Sequence, residues 1–550
     1  NTNSQISGFT LEDSFRGFLI GTSTSASPVL KDIIMRNIDQ EALAVGDGVT
    51  LTVVNTVIDS ARFGCLVRGG SGRFINCTFT NITDYALTNE YLASVLIFNS
   101  IFWDNGNSIY FNSMDSVTVY NSLIADGWSG PGGSNLVNDP VFINPENHDF
   151  SLSEFSPRIG GGTDSVYHQG NWSFSPNSDV TGITRPNPSG SNPDMGAYEN
   201  SLAEPIHNSF IHVSTTGDDN GSVGYESAPF ATIQAAIDYS MDSDSIVVQP
   251  GTYIENINYN GKNIVVGSLF LTYQDTSYIT QTVIDGNHLP NVVKFVNEES
   301  NTTQLVGFTI TNGYYDGGGS TYNGAGVLID GADPVIRSCV IRDNYISWYG
   351  GGICIKNPCS PTLDNVIITN NHSDHHGGGI AILDATPVMT NTLIYSNSTG
   401  EKGGGFYALG ANASASITNC TIVENFAVGY NNHWGGAIYT SGGASVDLLN
   451  TIIWGNTPNE IDDELYVDQA VNYSCIQGGY PGAGNINTDP LFSDPGAGNY
   501  TLSDFSPCIG IGLDTTIVPI TDIDGNPRPN PSGSNPDMGA YENPLAEPIH

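Results

Sequence analysis

Two rows of residues in the second half of the chain have types and spacing that suit a ligand. Trp348, His375, Glu401 and His433 stand at one register position ahead of successive glycine-rich runs, and Tyr349, His376, Lys402 and Trp434 stand at the next. Stacked on consecutive turns of a coil, they would form neighbouring ladders along one edge. His372, Asp374 and Tyr430 lie close in sequence. Aromatic rings beside a carboxylate and imidazoles suit a sugar, and His375 with His433 supplies ligand types for a metal. The same spacing also suits a solvated turn ladder that tolerates varied polar residues. A second candidate is Asp522-Ile523-Asp524-Gly525-Asn526, where Asp522, Asp524 and Asn526 give alternate oxygen ligands as in part of a Ca2+ loop. Its earlier counterpart, Asp179-Val180-Thr181-Gly182-Ile183, lacks two of those ligands, and no Glu closes the loop. That favours a structural turn.

The elements that position these residues follow from a short period. An Asn precedes a short apolar strand at Asn55, Asn76, Asn99 and Asn121, and again at Asn365, Asn391, Asn419, Asn450 and Asn472. Three short strands and their turns fit roughly 22 residues, so each repeat reads as one coil of a solenoid. Stacked Asn side chains are expected to hydrogen-bond along the ladder. The runs Gly350–Gly352, Gly377–Gly379, Gly403–Gly405 and Gly435–Gly436 are in phase with the Asn series. Glycine there permits a turn and close stacking of backbone. No Lys-Ser/Thr follows, so they are not phosphate loops.

A longer period lies over the short one. Arg185–Asn200 and Arg528–Asn543 are identical, RPNPSGSNPDMGAYEN. Flanking matches include Phe150–Gly162 with Tyr500–Gly512 and Gly8–Ser14 with Gly307–Gly313. Self-similarity at this scale marks a repeat array. The expected organisation is coils of a partial first unit over 1–130 and its C-terminal cap and junction over 131–207. A second N-terminal cap over 208–270, coils over 271–477 and a second cap and junction over 478–550 complete it. The opening Asn1-Thr2-Asn3-Ser4 reads as mid-domain sequence, so the chain is expected to be a slice of a longer polypeptide.

Phe210–Asp219, Ser227–Ser240 and Asp244–Ile257 resemble the opening of surface proteins of the pectate-lyase-like right-handed parallel β-helix superfamily. That resemblance implies an all-β solenoid with a short helix over Ile233–Ser240 capping the first coil. The ending, from Asn485-Ile486-Asn487 through Pro536-Asp537-Met538-Gly539-Ala540-Tyr541-Glu542, resembles the choice-of-anchor Q segments of secreted bacterial proteins. Lyases of this superfamily need a Lys or Arg base and a cation or Arg to neutralise a uronate. Here Lys+Arg is only 15, with no cluster along one coil face. Hydrolases of the superfamily need carboxylates in a set order of motifs. Asn487-Thr488-Asp489, His376-Gly377 and Asp462-Asp463 stand in the wrong order. No catalytic residue is assigned.

Of the eight cysteines, Cys77, Cys339 and Cys420 follow the ladder position and should pack inward. Cys475 and Cys508 align with Leu123 and Arg158 of the first unit, so they are present or absent together, which suggests a disulfide. Cys354 and Cys359 flank Asn357-Pro358 and could close a small loop. Both pairs fit an oxidising compartment. Asp+Glu of 56 gives a formal charge of −41, which disfavours nucleic acid and anionic membranes as partners. The expectation is an extracellular, cell-surface structural or adhesive module, joined end to end with copies of itself or flanking units. A carbohydrate-binding or polysaccharide-degrading protein is the alternative, with Ca2+ the one candidate cofactor.

Overall fold

Alternating apolar residues, broken at fixed intervals by a residue that tolerates left-handed backbone, wind the chain into coils. The computed structural model describes residues 4–21, 26–91, 93–111, 116–137, 139–219, 222, 224–317, 323–428, 434–463 and 470–550. It separates into two units, Asn1–Asn208 and Ser209–His550.

In the second unit, one coil consists of Thr362–Asp364, Ile367–Thr369, His372–Ser373 and Ile380–Leu383. Each strand pairs in parallel with its equivalent one coil on, as in Thr362↔Val388 and Ile367↔Leu393. Among the described residues this gives sheets of ten, nine and eight strands, plus a narrow fourth sheet of five. The architecture is a right-handed parallel β-helix. Every second side chain points inward, so Leu363, Ile368, Ile380 and Ile382 stack with their equivalents into one continuous core. Each such side chain contributes about 1.5–3 kcal/mol by leaving water. The expected cap is a helix at Ile233–Tyr239, which buries Ile233, Ala236 and Ile237. Lys262 Nζ donates to the carbonyls of Ile237, Asp238 and Ser240 at its C-terminal end.

First-unit coils are shorter. Thr78 pairs with Val57 and with Ile101, and the strands Val29–Val45, Thr50–Arg68 and Thr78–Glu90 run continuously around a corner. Phe79 and Phe102 stack inside at 4.5 Å.

The Asn series marks that corner, but its role differs from the expected ladder. Asn55, Asn76, Asn99, Asn121, Asn365, Asn391, Asn419 and Asn450 all have φ between 43° and 55°. Asn visits this region more readily than most residues because its short polar side chain bonds locally. Asn472 does not share the conformation; Tyr473 takes it, at φ 48°. Side-chain bonds along the series are sparse and long, as at Asn99 to Asn76 (3.4 Å) and Asn450 to Asn419 (3.3 Å). The well-formed Asn ladder lies six residues further along the same motifs. Asn344, Asn371, Asn397, Asn425 and Asn456 are buried. Each donates Nδ2 to the next Oδ1, at 2.9, 3.0, 3.0 and 2.9 Å.

The left-handed Asn residues instead hold the tail of each unit. Asn55, Asn76 and Asn99 donate to the carbonyls of Ser178, Asp194 and Thr163. Asn391, Asn419 and Asn450 donate to those of Thr521, Asp537 and Leu513. The segments expected to be caps therefore only begin as caps. Gly132–Gly133 pairs with the strand Ser116–Tyr120, and Ile486 bridges to Cys475. Each tail then folds back along the flank of its own coils.

Candidate functional site

The glycine runs bring the two expected rows together. Coils stack so closely that a Cβ on Gly351 would stand 2.4 Å from the Gly378 carbonyl oxygen, and Gly350 has φ 72°. Parallel bridges join Tyr349 to His376 and His376 to Lys402. Trp348 stacks on His375 at 4.3 Å. His375 Nδ1 is 3.1 Å from Glu401 Oε1, and His376 Nε2 is 3.6 Å from Glu401 Oε2. Lys402 Nζ lies 4.6 Å from the centre of the Tyr439 ring, a cation–π contact. Trp434 continues the second row through its carbonyl, which accepts from the Gly403 N–H at 3.0 Å. His433 and Tyr430 lie outside the described residues.

Residues beyond those two rows enlarge the wall. His376 stacks on Tyr407 at 4.6 Å, and Tyr407 on Tyr439 at 6.0 Å. Alongside, Tyr314, Tyr345 and His372 stack in series, and Asp374 accepts from Tyr345 Oη at 2.8 Å. The signal for Tyr407 and Tyr439 was present in the sequence: each is the outward residue of an alternating strand that follows a glycine run. Burial pushes the His376 imidazole down to about 4, with Glu401 pulling the other way, so it is neutral at pH 7. Its Nδ1 is buried without a partner.

This geometry limits the chemistry. The rings cover one another's faces along the solenoid axis, leaving mainly edges and polar atoms outward. Tyr407 and Tyr439 are only 4% and 3% exposed. The pair of Glu401 with His375 is partly solvated, so it is worth at most about 1 kcal/mol, and neutral His376 adds no ion pair at pH 7.

The other candidates resolve separately. Asp522 Oδ1 accepts from the N–H of Asp524 and of Asn526, and Oδ2 accepts from Asn526 Nδ2 and the Glu542 N–H. Its oxygens thus serve the turn. Burial, reinforced by Asp522, raises the Asp524 carboxyl. Among the described residues, no group of three His, Cys, Asp or Glu is placed to hold a metal.

Cys475 and Cys508 meet in one apolar cluster with Ile452 and Met538. They are thiols in the structure. A hydrogen bond with Cys475, together with burial, holds Cys508 well above its ordinary value. Cys354 and Cys359 are not joined. Cys354 packs outward with Ala381, Tyr407 and Tyr439, and Cys359 packs into the coil interior. Cys354 is the outward residue of the strand Ile353–Lys356, whereas Cys359 lies beyond that strand's end and turns into the core.

The most elaborate polar arrangement is the buried clip in each tail. Arg185 Nε lies 3.1 Å from Glu199 Oε2, with both side chains 0% exposed. Arg185 Nη1 donates to the carbonyls of Asp194 and Gly196. Asp194 accepts from the N–H groups of Gly160 and Asn200, and Asp179 from that of Glu199. Arg528, Glu542, Asp537 and Asp522 repeat this, with Arg528 Nε 3.3 Å from Glu542 Oε2. The clip reaches the coils at Gly196 and Gly539, whose N–H groups donate at 2.7 Å to the carbonyls of Asn99 and Asn450.

Comparison with known families agrees with the fold of the second unit's coils. Residues 291–462 match the family described as the right handed beta helix region. No curated protein matches the sequence. Among solved structures, pectate lyase Pel9A is similar over 60% of this chain and 96% of its own, at 14% identity and a TM-score of 0.33. The pectin methylesterase of Aspergillus niger is similar over 57% of this chain and 94% of its own, at 16% identity and a TM-score of 0.27.

Proposed function

We propose that the chain is a structural module of a larger extracellular surface protein, stalk or filament, joined end to end with further units or copies of itself. The observation that carries this reading is the clip. The same Arg–carboxylate arrangement is built twice, each time locking a tail onto its own coils. In this reading the repeated parts stabilise a solenoid, and the varied surface between them is free to differ from unit to unit. The ending that resembles choice-of-anchor Q segments fits a secreted bacterial protein. No helix among the described residues is long and apolar enough to cross a membrane.

In this reading a further strand adds at the edge of Gln5–Ser14 away from Val29–Val45, its partner among the described residues. Such an edge is a template for another strand. Sedimentation velocity over a concentration series, with hydrogen exchange on Gln5–Ser14, tests this. Association that protects those amides is expected. A monomer at high concentration with the same amides already protected would refute it.

A second reading is glycan binding at the wall, favoured by the Trp348–His375–Glu401 contact. Calorimetric titration with a glycan panel tests it. Binding that weakens in Trp348→Ala and His375→Ala supports it, and binding indifferent to both removes it.

A further inference from the structure

The two tails differ by an insertion. Thr163 and Ser178 are held by Asn99 and Asn55, as Leu513 and Thr521 are held by Asn450 and Asn391. Between these anchors the first unit has 14 residues and the second has 7. The extra length forms an antiparallel hairpin, Ser165–His168 with Asn171–Phe174. The second tail docks at the same anchors without it, so docking does not require the hairpin.

The hairpin sorts its side chains by face. Val166 and Ser173 point inward and are buried, Val166 against Ile75, Leu96 and Phe98. Tyr167, Trp172 and Phe174 point outward and are 58%, 59% and 65% exposed. Tyr167 and Trp172 are cross-strand partners with rings 5.2 Å apart, and Trp172 and Phe174 lie 6.4 Å apart with planes 26° from parallel. Cross-strand aromatic pairing stabilises a hairpin by itself, but it does not call for a third outward ring beside the pair.

We propose that this outward aromatic face binds a neutral polysaccharide by stacking on its sugar rings. Size and charge choose the occupant. The three rings leave on the order of 350 Å² of exposed aromatic surface. A stable protein interface needs about 800 Å² from each partner, so the face is too small for one and fits a few pyranose units. Ser165–Phe174 contains no Asp, Glu, Lys or Arg, in a chain whose net charge is −41. That background disfavours an acidic saccharide, although the Arg73 charge acts on His168 of the hairpin. The site is independent of the wall, whose rings are stacked on one another.

Titration of the full chain with cellohexaose, mannohexaose and chitohexaose, with trigalacturonic acid as the acidic comparison, tests the proposal. At least one neutral probe is expected to bind. Trp172→Ala and Phe174→Ala should each weaken it about tenfold, with the melting temperature unchanged and with binding unchanged in Phe505→Ala, an exposed ring outside both sites. Tyr167→Phe, which keeps the ring, should bind as the parent does. The proposal is overturned if none of the neutral probes binds or if trigalacturonic acid binds best. It also fails if Trp348→Ala abolishes binding while Trp172→Ala does not. Self-association of the parent that disappears in Trp172→Ala would make the face a protein contact and overturn it as well.

Discussion

The tail of the first unit and the tail of the second are held by the same bonds and decorated differently. In each, equivalent backbone carbonyls accept from left-handed Asn residues, and the same Arg is buried between the same carboxylates. Only the first carries the aromatic hairpin, and only the second has the neighbouring thiols Cys475 and Cys508, where the first has Leu123 and Arg158. The difference separates what the fold requires from what the surface can vary. Buried charge paired inside the clip belongs to the first class, and exposed rings between two anchors to the second.

The strongest way to break this equivalence is to remove the arginines. Arg185→Ala and Arg528→Ala each strand buried carboxylates, a loss expected to cost about 3–5 kcal/mol in either tail. Denaturant unfolding of both variants checks it, and a neutral result in one tail would end the parallel. Asn419→Ala should cost about 1–3 kcal/mol, since it leaves the buried Asp537 carbonyl without its side-chain donor, and Asn76→Ala should cost less, because Arg185 Nη1 still donates to the Asp194 carbonyl.

A finer difference lies in pH. Burial pushes Asp194 up to about 6 and Asp537 to about 7, with Glu542 adding to the latter. A carboxyl raised in the folded state holds its proton there after the unfolded chain has lost it. Its contribution is therefore complete below about 3.8 and declines as pH rises, ending near 6 for Asp194 and near 7 for Asp537. Melting temperatures of Asp194→Asn and Asp537→Asn, measured against the parent between these limits, should show the slope removed over the longer range in Asp537→Asn. The smallest effect concerns the thiols. Mild oxidation should join Cys475 to Cys508, and non-reducing peptide maps should leave Cys354 and Cys359 alkylatable once the protein is denatured. A Cys354–Cys359 peptide would contradict the opposite-face placement.

Much of this was legible in the sequence, for local reasons. The Asn spacing marks the coils because a left-handed corner needs a residue that tolerates it. The glycine runs mark the wall because nothing larger fits between stacked backbones. The partners of Asn76 and Asn419 were not legible, since they lie 118 residues away in the tails. The Asn344-to-Asn456 ladder sat in the same motifs, but only the stacking of coils shows that an amide at that position can be satisfied in the interior. The hairpin carries no repeat signal, because it has no counterpart in the second unit.

Each tail is clipped to its own coils by a buried Arg–carboxylate arrangement. Hydrogen exchange on Arg528→Ala tests it most directly. The amides of Gly539, Ala540 and Glu542 are expected to lose protection while the coil amides of Ile394 and Ile422 keep theirs. Unchanged protection at Gly539–Glu542, or equal loss in tail and coils, would contradict it.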